Sequence, residues 1–279
     1  MVIPFFAAVG GAVNMVLSKK VLSKHKMSYK LFLAITTAIL FLMCLILSPF
    51  LIAIHPGALV PVNVFLLIFV GVLSFIYNLL FFHGLQEESL NETETVWMFL
   101  PLLIVILSLI FYPAERNYYI FIPALISGAA LILSHIKRHH VDFSRGAHLI
   151  LLSVVVAAFE AIFIRYLLDF YNPFSLYFVR IGIAAILMWL YAKPHVGKVK
   201  SKSWLYIIIL SVFVLIQFIF TYWSYAVNGL VYTMLILNLL PVMIFAYAWT
   251  LGKERFEWKK FLAAIVILGC VIAVQILGH

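Results

Sequence analysis

The sequence predicts an all-α integral membrane protein, with ten transmembrane helices arranged as two inverted five-helix repeats. Three observations predict it. Of the 279 residues, 66% are hydrophobic and only 10% are charged. The apolar residues gather in ten continuous runs, and the basic residues collect in alternate connections between them. A series of marker residues recurs in the same order in the two halves of the chain.

Soluble domains average roughly 45–50% apolar and about 25% charged residues. A charged share of 10% is too small to cover a water-facing surface, as the mean hydropathy of +1.16 also shows. A soluble enzyme, a nucleic-acid-binding domain and a disordered chain are thereby excluded. The net charge of +9 would suggest a nucleic-acid partner in a soluble protein, but here it reports membrane orientation. Cys44 and Cys270 lie inside apolar runs and read as lipid-facing or packed thiols, and no metal or cofactor is expected. The first apolar stretch lacks a basic n-region and is followed by Lys19 and Lys20, so it reads as a span and not as a signal peptide.

The spans read as residues 2–18, 31–50, 62–82, 95–112, 118–136, 147–168, 174–191, 204–227, 231–251 and 261–277. Each run is continuous and too long for a barrel strand of roughly 10 residues, and a helix satisfies its own backbone inside lipid. The first span is short, so it tilts little or lets Lys19 and Lys20 snorkel. Five bases follow span one (Lys19, Lys20, Lys24, Lys26, Lys30), three follow span five and four each follow spans seven and nine. The connection after span three, Gln86 to Thr95, holds four glutamates and no base, but acids weigh little in orientation. The odd connections therefore belong in the cytoplasm and both termini outside, in a multi-pass plasma-membrane protein. Trp189, Trp204, Trp249 and Trp258 sit beside the same basic clusters, as an interfacial aromatic belt would.

Offsetting the chain by 146 residues places Asn14 on Glu160, Lys19 on Arg165 and Phe32 on Phe178. An offset of 140 places Phe82 on Tyr222, Thr93 on Thr233 and Pro101 on Pro241. Each proline is followed by a helix end with an acid–base pair, Glu115–Arg116 and Glu254–Arg255. The repeats are assigned to residues 1–140 and 141–279. Five spans per repeat is odd, so the halves insert with opposite orientation, an arrangement common among secondary transporters with a site near the bilayer midplane.

These marks resemble the EamA-type branch of the drug/metabolite transporter superfamily. The resemblance rests on five-plus-five helices, the proline in the fourth helix of each repeat, and the helix ends Pro113-Ala114-Glu115 and Leu251-Gly252-Lys253-Glu254. Asn172-Pro173-Phe174 followed by Arg180 completes it, whereas Ala34 stands opposite Arg180 in the first half. The resemblance implies movement of amino acids, nucleotide-related metabolites, sugars or drugs, mostly outward and often with proton exchange. It also implies that spans one, three, four, six, eight and nine line a central cavity.

Polar groups in lipid are costly and face protein or water. Glu160 is the one acid deep in a span. It could exchange protons or bind a substrate amine, or it could be a structural acid held by Arg165 or a nearby hydroxyl. Asn14 holds the matching place in the first repeat and reads as a substrate contact or interhelical glue. Tyr77 matches Gln217; Ser74 with Asn78, and Gln217 with Thr221 and Ser224, form polar stripes at helical spacing. Trp97 precedes Pro101 and Asn238 precedes Pro241, and each proline could act as a hinge or a static kink. The candidate substrate-binding set is Asn14, Tyr77, Asn78, Trp97, Glu160, Gln217 and Asn238.

Arg180 reads mainly as structural, snorkelling or answering a carboxylate. His83, His139 and His140 read as solvated, and the sequon at Asn91 falls in a cytoplasmic connection, so no glycan is expected. Gly128 and Gly269 lie on small-residue surfaces suited to packing spans five and ten or to a homodimer; a monomer is equally compatible. The expected partners are the bilayer, a small-molecule substrate and a coupling proton. A non-transporting subunit and an intramembrane lipid-handling protein are the alternatives.

Overall fold

The computed structural model describes residues 2–24, 27–88, 93, 96–135, 144–195, 197, 199, 201–250 and 258–277. Its helices are α1 (Val2–Lys24), α2 (Tyr29–Leu51), α3 (Pro61–Glu87), α4 (Phe99–Phe111) and α5 (Tyr118–His135). The chain continues with α6 (Arg145–Leu167), α7 (Pro173–Ala192), α8 (Ser201–Leu237), α9 (Leu239–Thr250) and α10 (Trp258–Leu277). Among the described residues the only β feature is a single antiparallel bridge between Ile54 and Tyr171. Among the described residues, seven helical stretches are long and apolar enough to cross a membrane, while Phe99–Phe111 and Tyr118–Ser134 are apolar but shorter.

The helix ends follow local chemistry. Ser28, Ser144 and Asn172 cap α2, α6 and α7 by accepting from the backbone N–H three residues on. Pro61 and Pro173 open α3 and α7, where a missing N–H costs nothing. The first helix runs on to Lys24, beyond the expected end near Ser18. Lys19 explains the extension: its ammonium donates to the carbonyls of Leu85 (2.7 Å) and Glu88, so the charged turn is satisfied by α3. In the fourth expected span Val96 and Trp97 are already helical, and α4 proper runs on from Phe99 after a break at Met98.

Helix α8 is two arms and not one rod. Gly229 has φ 79 and ψ 175, outside helical space. Ser224 and Thr233 bring their hydroxyls to 2.6 Å, whereas nine residues of straight helix would separate them by roughly 13 Å. The chain therefore turns back at Gly229, between the expected eighth and ninth spans. Two further breaks fall at Met98 and Asn238, each three residues before a proline, at Pro101 and Pro241. Proline cannot donate to the carbonyl four residues back and its ring crowds it, so the helix restarts there.

The main packing pairs are α1 with α8, α3 with α6, α5 with α10 and α2 with α7. Helices α5 and α10 pack together as expected, but not through close approach at the two glycines. A Cβ on Gly128 would meet Leu102 of α4, and one on Gly269 would meet nothing within 4 Å. The loop after α2 is stitched to the α6–α7 turn: the Tyr171 hydroxyl donates to Ala58 O (2.5 Å) and the Asn172 amide to Leu51 O (2.8 Å). Phe50, Leu190 and Ile276 are among the large apolar side chains left exposed, as lipid-facing residues would be.

Candidate functional site

A cavity of about 210 Å³ lies inside the bundle. It is lined by Asn14, Tyr77, Asn78, Trp97, Glu160, Gln217 and Asn238, together with Pro101 and Pro241. Every residue of the candidate set therefore reaches the same space, from both halves of the chain. The volume is below the roughly 300–1,000 Å³ usual for drug-sized ligands and suits a smaller solute.

Its charges are two. The Arg180 guanidinium grips the Glu160 carboxylate through Nε to Oε1 (2.6 Å) and Nη2 to Oε2 (3.2 Å). Both residues are almost wholly buried, at 2% and 3% exposure. Nη2 also donates to the Tyr77 hydroxyl (3.1 Å). The guanidinium lies 4.8 Å from the centre of the Phe218 ring and 5.7 Å from that of Tyr222, so aromatic faces solvate its plane. Arg165, one of the holders considered for Glu160, is elsewhere. Arg165 donates to Asp169 at 2.9 Å and lies 3.9 Å from Glu115. Arg165 sits at the end of α6, a full turn beyond Glu160 on the same helix, while Arg180 comes from the next helix at the same depth.

Of the two readings open for Arg180, snorkelling or answering a carboxylate, the structure shows the second, and a signal for its partner was present. Glu160 and Arg180 are equidistant in sequence from Phe170, which lies in the turn between α6 and α7. A helical hairpin brings such positions to one level, and two opposite charges at one level in lipid pair.

Asn14 forms a second polar centre. Its amide donates to Gln217 Oε1 (2.9 Å), and its own Oδ1 accepts from Ser18 (3.0 Å). Close approach of α1 and α8 permits this: a Cβ on Gly10 would come 2.9 Å from Phe213 O. Asn78 donates to the Ser74 carbonyl (2.8 Å), and Asn238 donates to Ser127 (2.7 Å). Trp97 stacks obliquely on Phe81 with centroids 4.4 Å apart. Three hydroxyls on the lining that sequence reasoning did not single out, those of Thr36, Tyr177 and Tyr222, are buried without a hydrogen-bond partner. Apolar-looking aromatic runs gave no hint of them.

The remaining expectations fall away from the cavity. His83 stacks on Tyr29 (4.5 Å) and pairs with Glu87 (3.0 Å). Trp189 and Trp258 are exposed at 45% and 69%, as belt residues would be. Asn91, His139, His140, Leu251-Gly252-Lys253-Glu254, Arg255 and the side chain of Trp249 lie outside the described residues.

Residues 144–275 match the model of the EamA-like transporter family. The second half of the chain therefore resembles an EamA-like transporter domain. That family is part of the drug/metabolite transporter superfamily, and the apolar helices are consistent with a multi-pass membrane protein. The EamA match covers Glu160, Arg180, Gln217 and Asn238; the first-half lining residues lie before it. A solved crystal structure of a protein aligns over 97% of this chain and 98% of its own, with TM-score 0.71 and 18% identity. At that identity the likeness establishes a shared fold. No curated protein matches the chain.

Proposed function

We propose that this EamA-family protein is a secondary active transporter. It moves a small organic metabolite, amino-acid-like or amphipathic, across the plasma membrane by alternating access. The observation that carries the reading is the convergence of Asn14, Tyr77, Asn78, Trp97, Glu160, Gln217 and Asn238 on one interior cavity whose two charges are paired. Residues 1–140 and 141–279 act as two inverted five-helix repeats around it. The contacts support this pairing. Asn14 of α1 meets Gln217 of α8, while Glu160 of α6 meets Tyr77 of α3 through Arg180. The sequence offsets carry Asn14 onto Glu160 and Tyr77 onto Gln217, so one contact is the counterpart of the other. The breaks at Met98 and Asn238 correspond in the same way, and Pro101 and Pro241 are the hinges we assign to the opening motion. Two near-equivalent halves give two states that differ by only a few kcal/mol, as alternating access requires. Export is the direction the family resemblance favours, and Glu160 is the group assigned to proton coupling.

The test is flux. Purified full chain is placed in liposomes with a metabolite mixture, with a pH gradient imposed or absent, and mass spectrometry reads both compartments. Movement of a solute that responds to the gradient, with the response lost in Glu160→Gln, is the expected result. Absence of any movement beyond protein-free liposomes overturns the reading and favours a non-transporting subunit or a lipid-handling protein.

A further inference from the structure

Resting on the transport reading, we infer that the solute presents a carboxylate to Arg180, and that its binding places one proton on Glu160. Carboxylate and proton then cross together, not in exchange, so outward movement is driven by the solute's own gradient and an inward proton gradient opposes it.

The inference starts from the unequal chemistry of the pair. Arg180 has one carboxylate partner, Glu160, and both are buried. A solute able to compete for either member must leave the other without its counter-charge. Arginine keeps its charge in proteins, so an amine that took Glu160 would strand a buried cation. A carboxylate is different, because a proton neutralises it. A solute carboxylate on Arg180 releases Glu160, and the released carboxyl takes a proton from water on the side the solute entered. One O–H bond forms on Glu160 and none is broken in the solute. On the opposite side the solute leaves, Glu160 returns the proton to water, and the Arg180 contact re-forms. The site carries no net charge at either stage when the solute is a monoanion.

The lining supplies the rest. The Tyr177 and Tyr222 hydroxyls are fully buried, without partners, and belong to the aromatic group around Arg180. Both are donors suited to anionic oxygens. The titratable and charged groups facing Glu160 are Arg180 from α7, Tyr77 from α3, and Tyr222 and Tyr225 from α8, while Tyr177 of α7 faces Arg180. Among the described lining residues there is no histidine, lysine or second acid to take the proton instead. Glu160 is therefore the proton's seat.

Three solutes of one skeleton separate the cases: 3-phenylpropionate (anion), phenylalanine (zwitterion) and phenethylamine (cation). Binding is measured on the purified full chain by ligand-induced thermal stabilisation. Between about pH 7.5 and about pH 5.5, 3-phenylpropionate should bind up to about tenfold more tightly per pH unit lowered, the limit set by uptake of one proton. In Glu160→Gln, which mimics the protonated acid, the same anion should bind with no pH dependence. Phenethylamine should not stabilise the protein. Stabilisation by phenethylamine, anion binding that ignores pH in the wild type, or no anion binding at either pH overturns the inference. So does pH-independent phenylalanine binding tighter than that of the anion, which would put the zwitterion across both members of the pair. Should the metabolite mixture still flow in liposomes after any of these results, transport stands and only the carboxylate–proton assignment falls.

Discussion

Arg180 and Glu160 are held together by what the membrane withholds. Both side chains are buried, and each satisfies the other through two hydrogen bonds while Phe218 and the tyrosines cover the guanidinium plane. Removing one member of such a buried pair typically costs about 3–5 kcal/mol, chiefly because the survivor is stranded. The two single losses should not be equal. Glu160→Leu leaves a cation that cannot shed its charge, whereas Arg180→Leu leaves an acid that a proton can neutralise. Thermal unfolding in detergent should rank Glu160→Leu as the more damaging change by about 1–2 kcal/mol. The double variant Glu160→Leu/Arg180→Leu should lie closer to wild type than either single, with a coupling of about 2 kcal/mol or more. Additive losses would show that the two groups act independently. Transport should be absent in all three, which separates the role in binding from the role in holding α6 to α7.

The turn at Gly229 shows how one element is closed by another far away in sequence. The second arm of α8 starts with N–H groups that have no helical partner. Glu115 supplies the acceptor: its carboxylate takes Leu230 N at 2.8 Å and Val231 N at 2.9 Å. A carboxylate at a helix N-terminus also meets the positive end of the dipole. Gly229 is required twice over. Its φ of 79 strains any L side chain, and a Cβ there would sit 2.8 Å from Glu115 Oε1. Glu115→Gln should cost about 1 kcal/mol by losing charge, and Glu115→Ala about 2 kcal/mol by losing the acceptor. Gly229→Ala should cost at least as much as Glu115→Ala, since it adds strain and displaces the same carboxylate. Thermal unfolding of the three gives the order, and a silent Gly229→Ala would refute this account of the turn. The span boundaries were legible because apolar runs and flanking charges mark them, and the prolines marked the breaks at Met98 and Asn238. The cap was not, because nothing local to Leu230 announces an acceptor contributed by residue 115.

At the scale of the whole molecule, lipid decides what the sequence can reveal. A chain that must bury its backbone and hide its few polar side chains advertises both, so the helices and the seven cavity-lining residues could be read before any coordinates. Which polar groups meet depends on helix depth and rotation, and that is why the sequence left the partner of Glu160 open and why the partnerless hydroxyls of Tyr177 and Tyr222 went unseen. Orientation is the other global property, and it too rests on charge. Sixteen of the nineteen bases lie in odd connections. The two toward the even side are tied down locally: Arg116, in the connection after α4, donates to Leu109 O at 2.8 Å, and Arg165, in the last turn of α6, binds Asp169. Translocating those two costs less than translocating the sixteen, so the even connections should face outward. With Cys44 and Cys270 replaced by alanine, single cysteines report it. Leu59→Cys, at a position 78% exposed after α2, should react with an impermeant maleimide on intact cells. His195→Cys, exposed after α7, should react only once the membrane is permeabilised. The reverse pattern would turn the molecule over in the bilayer. Glu160 and Arg180 would stay in the same cavity, but the water that loads Glu160 with its proton when a given solute binds would be that of the other compartment.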